Sequence, residues 1–216
     1  MPRVYDSVRL LALMFAAVVS ALAADPSTAR LLKQVEQRYN RAETLQVRFA
    51  ETYTAAGRSS RTETGLLSLR KPGRMRWDYT SPAGKLFVSD GKNLYLYVPG
   101  TNRVQKMKLK QSEDMRAPLA FLLGKLNFEK EFQNIQTKSE GDNTRILAEP
   151  KADSLPYSKV EFVVSPDSEI RKLHILEQDN SMLDFTFDEE KVNPPLAGSL
   201  FQFHPPAGAD VVEGSR

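Results

Sequence analysis

Cysteine is absent from this chain of 216 residues. Its absence excludes disulfides, thiolate metal sites, a thiol nucleophile and lipid attachment through an N-terminal cysteine. Histidine is scarce, because only His174 and His204 occur. Two histidines leave little for a zinc site or a histidine-based catalytic relay. We therefore expect neither a metal nor a cofactor.

A concentrated surplus of positive charge is also missing. Lys and Arg number 30 against 27 Asp and Glu, which gives a formal net charge of +3. Nucleic-acid-binding domains usually carry a clustered basic excess. The composition therefore predicts no nucleic-acid partner.

Long apolar stretches occur only at the N-terminus. Arg3 and Arg9 accompany an apolar run at residues 10–19, and Ala21 and Ala23 complete an A-x-A pattern. This arrangement is typical of a secretory signal peptide, so we expect residues 1–23 to be removed on export. A run of about ten residues is too short to span a bilayer core of about 30 Å as a helix. An uncleaved anchor is the alternative.

The remainder, residues 24–216, has the pattern of a single, mainly β domain. Apolar residues recur at helical spacing over residues 27–43 and then alternate with a period of two. We count roughly ten strands, the last short one over residues 200–204, spaced about 8 to 12 residues apart. The predicted fold is mainly β with some α: an unclosed, strongly curved antiparallel β-barrel covered by a lid of short helices.

A helical insertion interrupts the strands near residue 119. Four large apolar residues surround its axis, so the helix must be covered on more than one side. They are Leu119, Phe121, Leu122 and Leu123. Two interpretations remain open: a lid over the mouth of the barrel, or an ordinary packed core helix.

Large apolar side chains on the strands are candidates for a cavity lining. A sheet of about ten strands is wider than the eight at which side chains just fill a barrel, which favours a ligand cavity. Which alternating face points inward is not fixed by the sequence. The candidate lining residues are Phe49, Met75, Trp77, Leu86 and Val88.

Of three charged features, two have plain surface explanations and one does not. Arg70 and Lys71 must project to opposite faces of their strand, so one points inward, where helix-end carbonyls could bind it. Lys106 and Lys108 are typical of an edge strand, or alternatively of a landing site for an acidic partner or for lipid phosphates. The acidic run at residues 188–190 falls at a strand end and is typical of a solvated turn.

Motifs for catalysis are missing. The sequence contains no G-x-S-x-G, no H-E-x-x-H and no phosphate-binding loop. His174 lies in an alternating strand and is best interpreted as a surface or half-buried residue. We therefore expect a protein that is not an enzyme.

One block of sequence resembles a known family. Residues 65–79 read GLLSLRKPGRMRWDY, and residues 82–97 continue with Pro82, LFVSDGK and LYLY. This block, together with residues 118–124, 177–179 and 201–211, resembles the periplasmic lipoprotein carriers of the LolA type. The similarity covers nearly all of the chain after the signal peptide.

The resemblance implies a fold and a task. The family has an unclosed antiparallel barrel with an apolar acyl-chain cavity under a helical lid. Its members collect acylated lipoproteins from an ATP-driven (ABC-type) inner-membrane transporter and carry them through the periplasm to an outer-membrane acceptor. The resemblance thus implies a soluble, monomeric, non-catalytic carrier.

The resemblance also assigns roles to individual residues. It implies that the apolar candidates line the acyl-chain cavity and that the helical insertion is the lid. The family often has arginine directly before the proline, where it binds lid carbonyls and keeps the empty cavity shut. Here Lys71 occupies that place, with Arg70 one residue earlier, so either could be this lid latch.

Two other functions fit the same sequence. The chain could carry or sense another lipid, such as a glycolipid or a free fatty acid. It could also be a non-catalytic adaptor with a filled barrel that acts only through protein–protein contacts.

Overall fold

The computed structural model describes residues 26–109 and 126–214. The predicted signal peptide, residues 1–23, lies outside this part of the chain. So does the predicted lid, with Leu119, Phe121, Leu122 and Leu123.

Twelve strands and one long helix form the described molecule. Helix α1 (Pro26–Arg41) matches the predicted helix, and a short helix α2 (Phe128–Glu131) lies between the sixth and seventh strands. Single 3-10 turns occur at Pro99–Thr101 and Gly198–Phe201. The strands are β1 (Thr44–Thr54), β2 (Arg61–Arg70), β3 (Arg74–Ser81), β4 (Leu86–Asp90), β5 (Asn93–Val98), β6 (Arg103–Lys108), β7 (Phe132–Glu140), β8 (Asn143–Pro150), β9 (Tyr157–Val164), β10 (Ile170–Glu177), β11 (Met182–Val192) and β12 (Asp210–Glu213).

All twelve strands belong to one open sheet. Their order is β12-β6-β5-β4-β3-β2-β1-β11-β10-β9-β8-β7, so β12 and β7 are its two edges. Every pairing is antiparallel except that of β12 with β6, which is parallel. The expectation of a wholly antiparallel sheet is therefore corrected to a mixed, largely antiparallel one.

Helix α1 packs against one face of this sheet. Its Val35 and Tyr39 are buried in the same apolar core as strand residues from both halves of the sheet. Thr28, in its first turn, shares a 2.8 Å hydrogen bond with Thr137 of β7. In the described residues, no helix is both long enough and apolar enough to cross a membrane.

Two strand predictions near the C-terminus need correction. Residues 200–204 do not form a strand, because Gly198–Phe201 is a 3-10 turn in which the Leu200 amide donates to the Ala197 carbonyl. Strand β6, with Lys106 and Lys108, is not an edge either. Strand β12 pairs along it, and Glu213 accepts a 3.0 Å hydrogen bond from Lys106.

Candidate functional site

The strand register separates the sheet into two faces with different character. Residues directly opposite each other on paired strands point to the same side. Phe49 lies opposite Gly65 and Phe187, while Trp77 lies opposite Phe87 and Leu67. We call the side that carries Phe49, Trp77, Tyr79, Phe185 and Phe187 the aromatic face; it is also the side on which α1 packs.

Aromatic rings from three strands, β1, β3 and β11, contact one another on this face. The Phe49 ring meets the Trp77 ring edge-on at 4.6 Å between centroids, and the Tyr79 ring at 5.2 Å. Trp77 also lies 5.9 Å from Phe185, which stacks on Phe187 at 5.8 Å. Such contacts add to the stabilisation from buried area and fix ring orientations. The result is a continuous apolar cluster that covers this side of the sheet and belongs to the buried core.

Glycine at position 65 is required by this arrangement. A Cβ atom there would lie 2.2 Å from the Asp78 carbonyl oxygen and 2.9 Å from the Phe49 ring. Any larger residue would clash with the β3 backbone and with the Phe49 ring. Gly65 therefore allows both β3 and the Phe49 ring to lie this close to β2.

Three of the five predicted lining residues share the aromatic face. Phe49, Met75 and Trp77 are all less than about a tenth exposed, and the Trp77 indole donates a 3.2 Å hydrogen bond to the Met75 sulfur. The other two do not join them. Leu86 lies opposite Asp78, and Val88 lies opposite Arg76, on the other side of the sheet.

The C-terminal segment covers that opposite side. We call residues 193–209 the strap and the side it crosses the strap face. Arg76 donates a 3.2 Å hydrogen bond to the Leu200 carbonyl, and Phe203 stacks on Tyr95 at 5.0 Å. Val88 is fully buried on this face. The sequence analysis placed Leu86 and Val88 in one cavity with Trp77. The strand register instead places both residues on the strap face.

Arg70 and Lys71 project to opposite sides, as the alternation predicts. Arg70 donates a 3.2 Å hydrogen bond to the Leu196 carbonyl in the strap. Lys71 donates a 2.6 Å hydrogen bond to the Tyr39 carbonyl in the last turn of α1. Burial lowers the pKa of the Lys71 ammonium. The inward-pointing cation is therefore Lys71, and it binds a carbonyl oxygen at the end of α1.

A buried carboxylate fixes α1 against β11. Arg38 donates hydrogen bonds of 2.9 and 2.6 Å to one oxygen of Glu190, and the Tyr39 hydroxyl donates a 2.7 Å bond to the other. The Glu190 side chain is only 2% exposed, so the prediction of a solvated turn at residues 188–190 is wrong for this residue. A bulge opposite Val47 turns Glu190 towards the helix.

A group of charged residues ends the aromatic face, and the sequence analysis missed it. Glu51 and Glu63 lie directly opposite each other on β1 and β2. Lys85 forms an ion pair with Glu63, and its ammonium lies 4.2 Å from the centre of the Tyr79 ring. Arg61 lies 3.3 Å from Glu63 but is 73% exposed. We call Glu51, Arg61, Glu63, Tyr79 and Lys85 the polar end.

Burial and neighbouring charges both act on Glu51 at the polar end. Burial raises the pKa of the Glu51 carboxyl, an effect that Lys85 opposes and Glu63 reinforces. Tyr79 donates a 3.4 Å hydrogen bond to Glu51. The spacing of the two carboxylates could have revealed them. Glu51 is two residues from Phe49 and Glu63 is two residues from Gly65, so each lies on the same face as the inward-pointing residues of its strand.

The site has no geometry for metal chemistry in the part of the chain described. No cluster of three or more His, Cys, Asp or Glu side chains among residues 26–109 and 126–214 could hold a metal ion. What the arrangement offers is an apolar, aromatic surface with a charged group at one end.

Comparison with known proteins points to one family. A family model for "Outer membrane lipoprotein carrier protein LolA" matches residues 40–204. An outer-membrane lipoprotein carrier protein of Chromobacterium violaceum is 27% identical over 95% of this chain and 98% of its own. Another from Proteus mirabilis is 30% identical, over 83% of this chain and 86% of its own.

A solved structure supports the fold alone. An uncharacterised conserved protein from Thermus thermophilus superposes with a TM-score of 0.54 at 13% identity, covering 87% of this chain and 99% of that one. The family match extends over most of the chain and includes the strands of the aromatic face. The chain therefore belongs to the LolA family of outer membrane lipoprotein carriers, which are carriers and not enzymes.

Proposed function

We propose that this protein is a soluble periplasmic carrier that binds the acyl chains of lipoproteins and delivers them to the outer membrane. The observation that carries the proposal is the continuous aromatic face in a chain of the lipoprotein carrier family. Exposed acyl chains are unfavourable in water by about 0.8 kcal/mol per CH₂. A carrier must therefore cover them with an apolar surface while remaining soluble itself.

The acyl chains lie along the aromatic face in this proposal. Phe49, Met75 and Trp77 form its centre, and Phe87 extends it to β4. The sheet curves around the chains as an unclosed barrel. Leu86 and Val88 contribute to the opposite face under the strap and do not contact the cargo.

A helical lid completes the proposed site. Leu119, Phe121, Leu122 and Leu123 close over the acyl chains and cover the site when it is empty. Lys71, before Pro72, is the candidate lid latch, because Arg70 binds the strap on the other face. A lid that competes with the ligand keeps affinity moderate, which permits transfer to a tighter acceptor.

The proposal includes the partners and the route. Residues 1–23 direct export and are removed, which leaves one domain over residues 24–216. A monomer of that domain receives acylated lipoproteins from an ABC-type inner-membrane transporter. It then transfers them to an outer-membrane lipoprotein acceptor.

Release of lipoproteins from spheroplasts tests this function directly. The purified secreted protein is incubated with spheroplasts that contain radiolabelled lipoproteins, and the soluble complexes are identified by mass spectrometry. Recovery of acylated lipoproteins supports the carrier. Recovery of free lipids alone would instead indicate a general lipid carrier, and an empty protein would indicate an adaptor.

Neighbouring residues on β4 provide a matched pair of variants. Leu86 and Phe87 are both half-buried but lie on opposite faces. A carboxylate placed on the acyl-chain surface is strongly unfavourable, so Phe87→Glu is expected to reduce release by about tenfold or more. Leu86→Glu is expected to release normally. Equal loss in two variants that remain folded by circular dichroism would refute the assignment of the aromatic face.

A further inference from the structure

The aromatic face becomes polar in one direction along its strands. On β1, Leu45, Val47 and Phe49 are buried, but the next residue on the same side is Glu51. On β2, the same direction leads from Leu67 through Gly65 to Glu63 and the exposed Arg61, so the apolar surface ends at the polar end. Any elongated amphipathic ligand on this face would therefore place its polar head next to Glu51, Glu63 and Lys85.

The polar end carries two carboxylates and two cations, but only one of the cations, Lys85, is shielded from solvent together with them. Glu63 is 5% exposed, and the Lys85 side chain that balances it is 16% exposed. Glu51 adds a second carboxylate directly across the strand pair. The Arg61 guanidinium lies 3.3 Å from Glu63, but its side chain is 73% exposed, and solvent weakens an exposed pair of this kind. Among the less exposed side chains of the polar end, one ammonium thus faces two carboxylates.

Folding alone does not favour this arrangement. Like charges directly opposite each other on paired strands are destabilising. A buried ion pair contributes little net stability compared with apolar residues of similar size. Tyr79 connects the charged group to the apolar surface, since its ring contacts Phe49 and its hydroxyl donates to Glu51. Costly charges beside a binding surface indicate a functional role.

We propose, on the basis of the proposed function, that the polar end selects the head group of the ligand. It accepts an uncharged head joined to its acyl chains by ester and amide groups, as at an acylated peptide N-terminus. It rejects lipids whose head is an anionic phosphate. Glu51 and Glu63 are the specificity-determining residues of this selection, and Lys85 and Tyr79 are the donors to the accepted head group.

The chemistry of the three side chains accounts for both halves of the selection. An ammonium has three N–H donors and a tyrosine hydroxyl has one, so Lys85 and Tyr79 can donate to ester and amide carbonyl oxygens. A phosphate at the same place would lie beside two carboxylates in a poorly solvated site. Like-charge contacts of this kind suppress the wrong partner.

Equilibrium binding of two probes tests the selection. One probe is a short-chain triacylated lipopeptide with an uncharged peptide, and the other is a phosphatidylglycerol with the same chains, both below their micellar concentrations. Trp77, the only tryptophan of the chain, reports binding by its fluorescence. The wild type is expected to prefer the lipopeptide. Glu51→Gln is expected to bind the phosphatidylglycerol about tenfold more tightly, so that the ratio of the two affinities moves towards the phosphatidylglycerol.

A surface carboxylate provides the control. Glu189 is 65% exposed, so Glu189→Gln is expected to leave both affinities unchanged. If Glu51→Gln leaves the ratio of affinities as in the wild type, head-group selection is overturned while the carrier function stands. If neither probe binds the wild type, the carrier function and the selection fail together.

The wild type offers a second test that does not depend on a variant. Tyr79, Glu63, Lys85 and Arg61 surround Glu51, and burial raises the pKa of its carboxyl. Protonation of Glu51 on acidification removes a negative charge, whereas the phosphodiester stays ionised. The preference for the lipopeptide is expected to shrink several-fold between about pH 7.5 and about pH 5. A preference that is constant or grows over this range would contradict the proposal.

Discussion

The two faces of the sheet use neighbouring residues for opposite purposes. Arg70 donates to a carbonyl of the strap, whereas Lys71, the next residue, donates to a carbonyl of α1. Leu86 lies on the strap face and Phe87 on the aromatic face. A change of one residue in register would exchange both pairs. The contrast teaches that the face on which a side chain lies, more than its type, decides its role.

The covers of the two faces are fixed by different interactions. Helix α1 is bound to the aromatic face through the buried Glu190, which accepts hydrogen bonds from Arg38 and Tyr39. The strap is bound through arginine-to-carbonyl hydrogen bonds and the stacking of Phe203 on Tyr95. Charge-assisted bonds to a buried carboxylate are the stronger kind. We therefore expect α1 to be held firmly against the sheet and the strap to be held more weakly.

The largest effect is expected at Glu190. Glu190→Ala removes the acceptor of both Arg38 and Tyr39, and breaking a buried pair in this way costs about 3–5 kcal/mol. The free energy of unfolding, measured by urea denaturation, is expected to fall by that amount. Glu189→Ala, the exposed neighbour, is expected to change it by less than about 0.5 kcal/mol. Similar losses in the two variants would show that α1 is not bound through this carboxylate.

A smaller effect is expected at Lys71. Lys71→Met keeps the apolar stem but removes the donor to the Tyr39 carbonyl, and a hydrogen bond from a charged group contributes about 1.5–3 kcal/mol. Hydrogen exchange is expected to increase in the last turn of α1. Arg70→Met is the matched variant on the other face, and exchange is expected to increase in the strap instead. Increased exchange at the same segment in both variants would contradict the division between faces.

Most of the first half of the sheet could be predicted from the sequence. Strands β1, β2 and β3 alternate apolar and polar residues, and Gly91 follows Asp90 in the turn between β4 and β5. These signals are local, so they do not depend on distant contacts. Three of the predicted lining residues, Phe49, Met75 and Trp77, lie on these strands and share a face for the same reason.

The misplacement of Leu86 and Val88 has a physical cause. Val88 and Ser89 are both buried although they are neighbours on β4, because the strap covers one side and the core the other. A strand buried on both sides loses the alternation that reports its inward face. The strap itself lacks a strong pattern, so its position over β4 was not predictable.

Strand β12 and Glu190 were missed because distant partners decide their structure. Strand β12 has only four residues, Asp210–Glu213, and forms by pairing with β6 about a hundred positions earlier. Glu190 turns inward through a bulge that adds one residue opposite Val47. Nothing in an acidic run such as residues 188–190 distinguishes the buried carboxylate from its exposed neighbours.

The smallest effect is expected at the strap. Phe203→Ala removes the ring that stacks on Tyr95 at 5.0 Å, and an aromatic pair of this kind contributes about 0.5–1.5 kcal/mol beyond its buried area. Because Phe203 lies on the strap face, the variant is expected to release lipoproteins from spheroplasts at the wild-type rate. Urea denaturation measures the free energy of unfolding, and the release assay measures lipoprotein release by the same preparation. A fall in release as large as that of Phe87→Glu would mean that the strap face takes part in binding, and that the two faces are not separate in function.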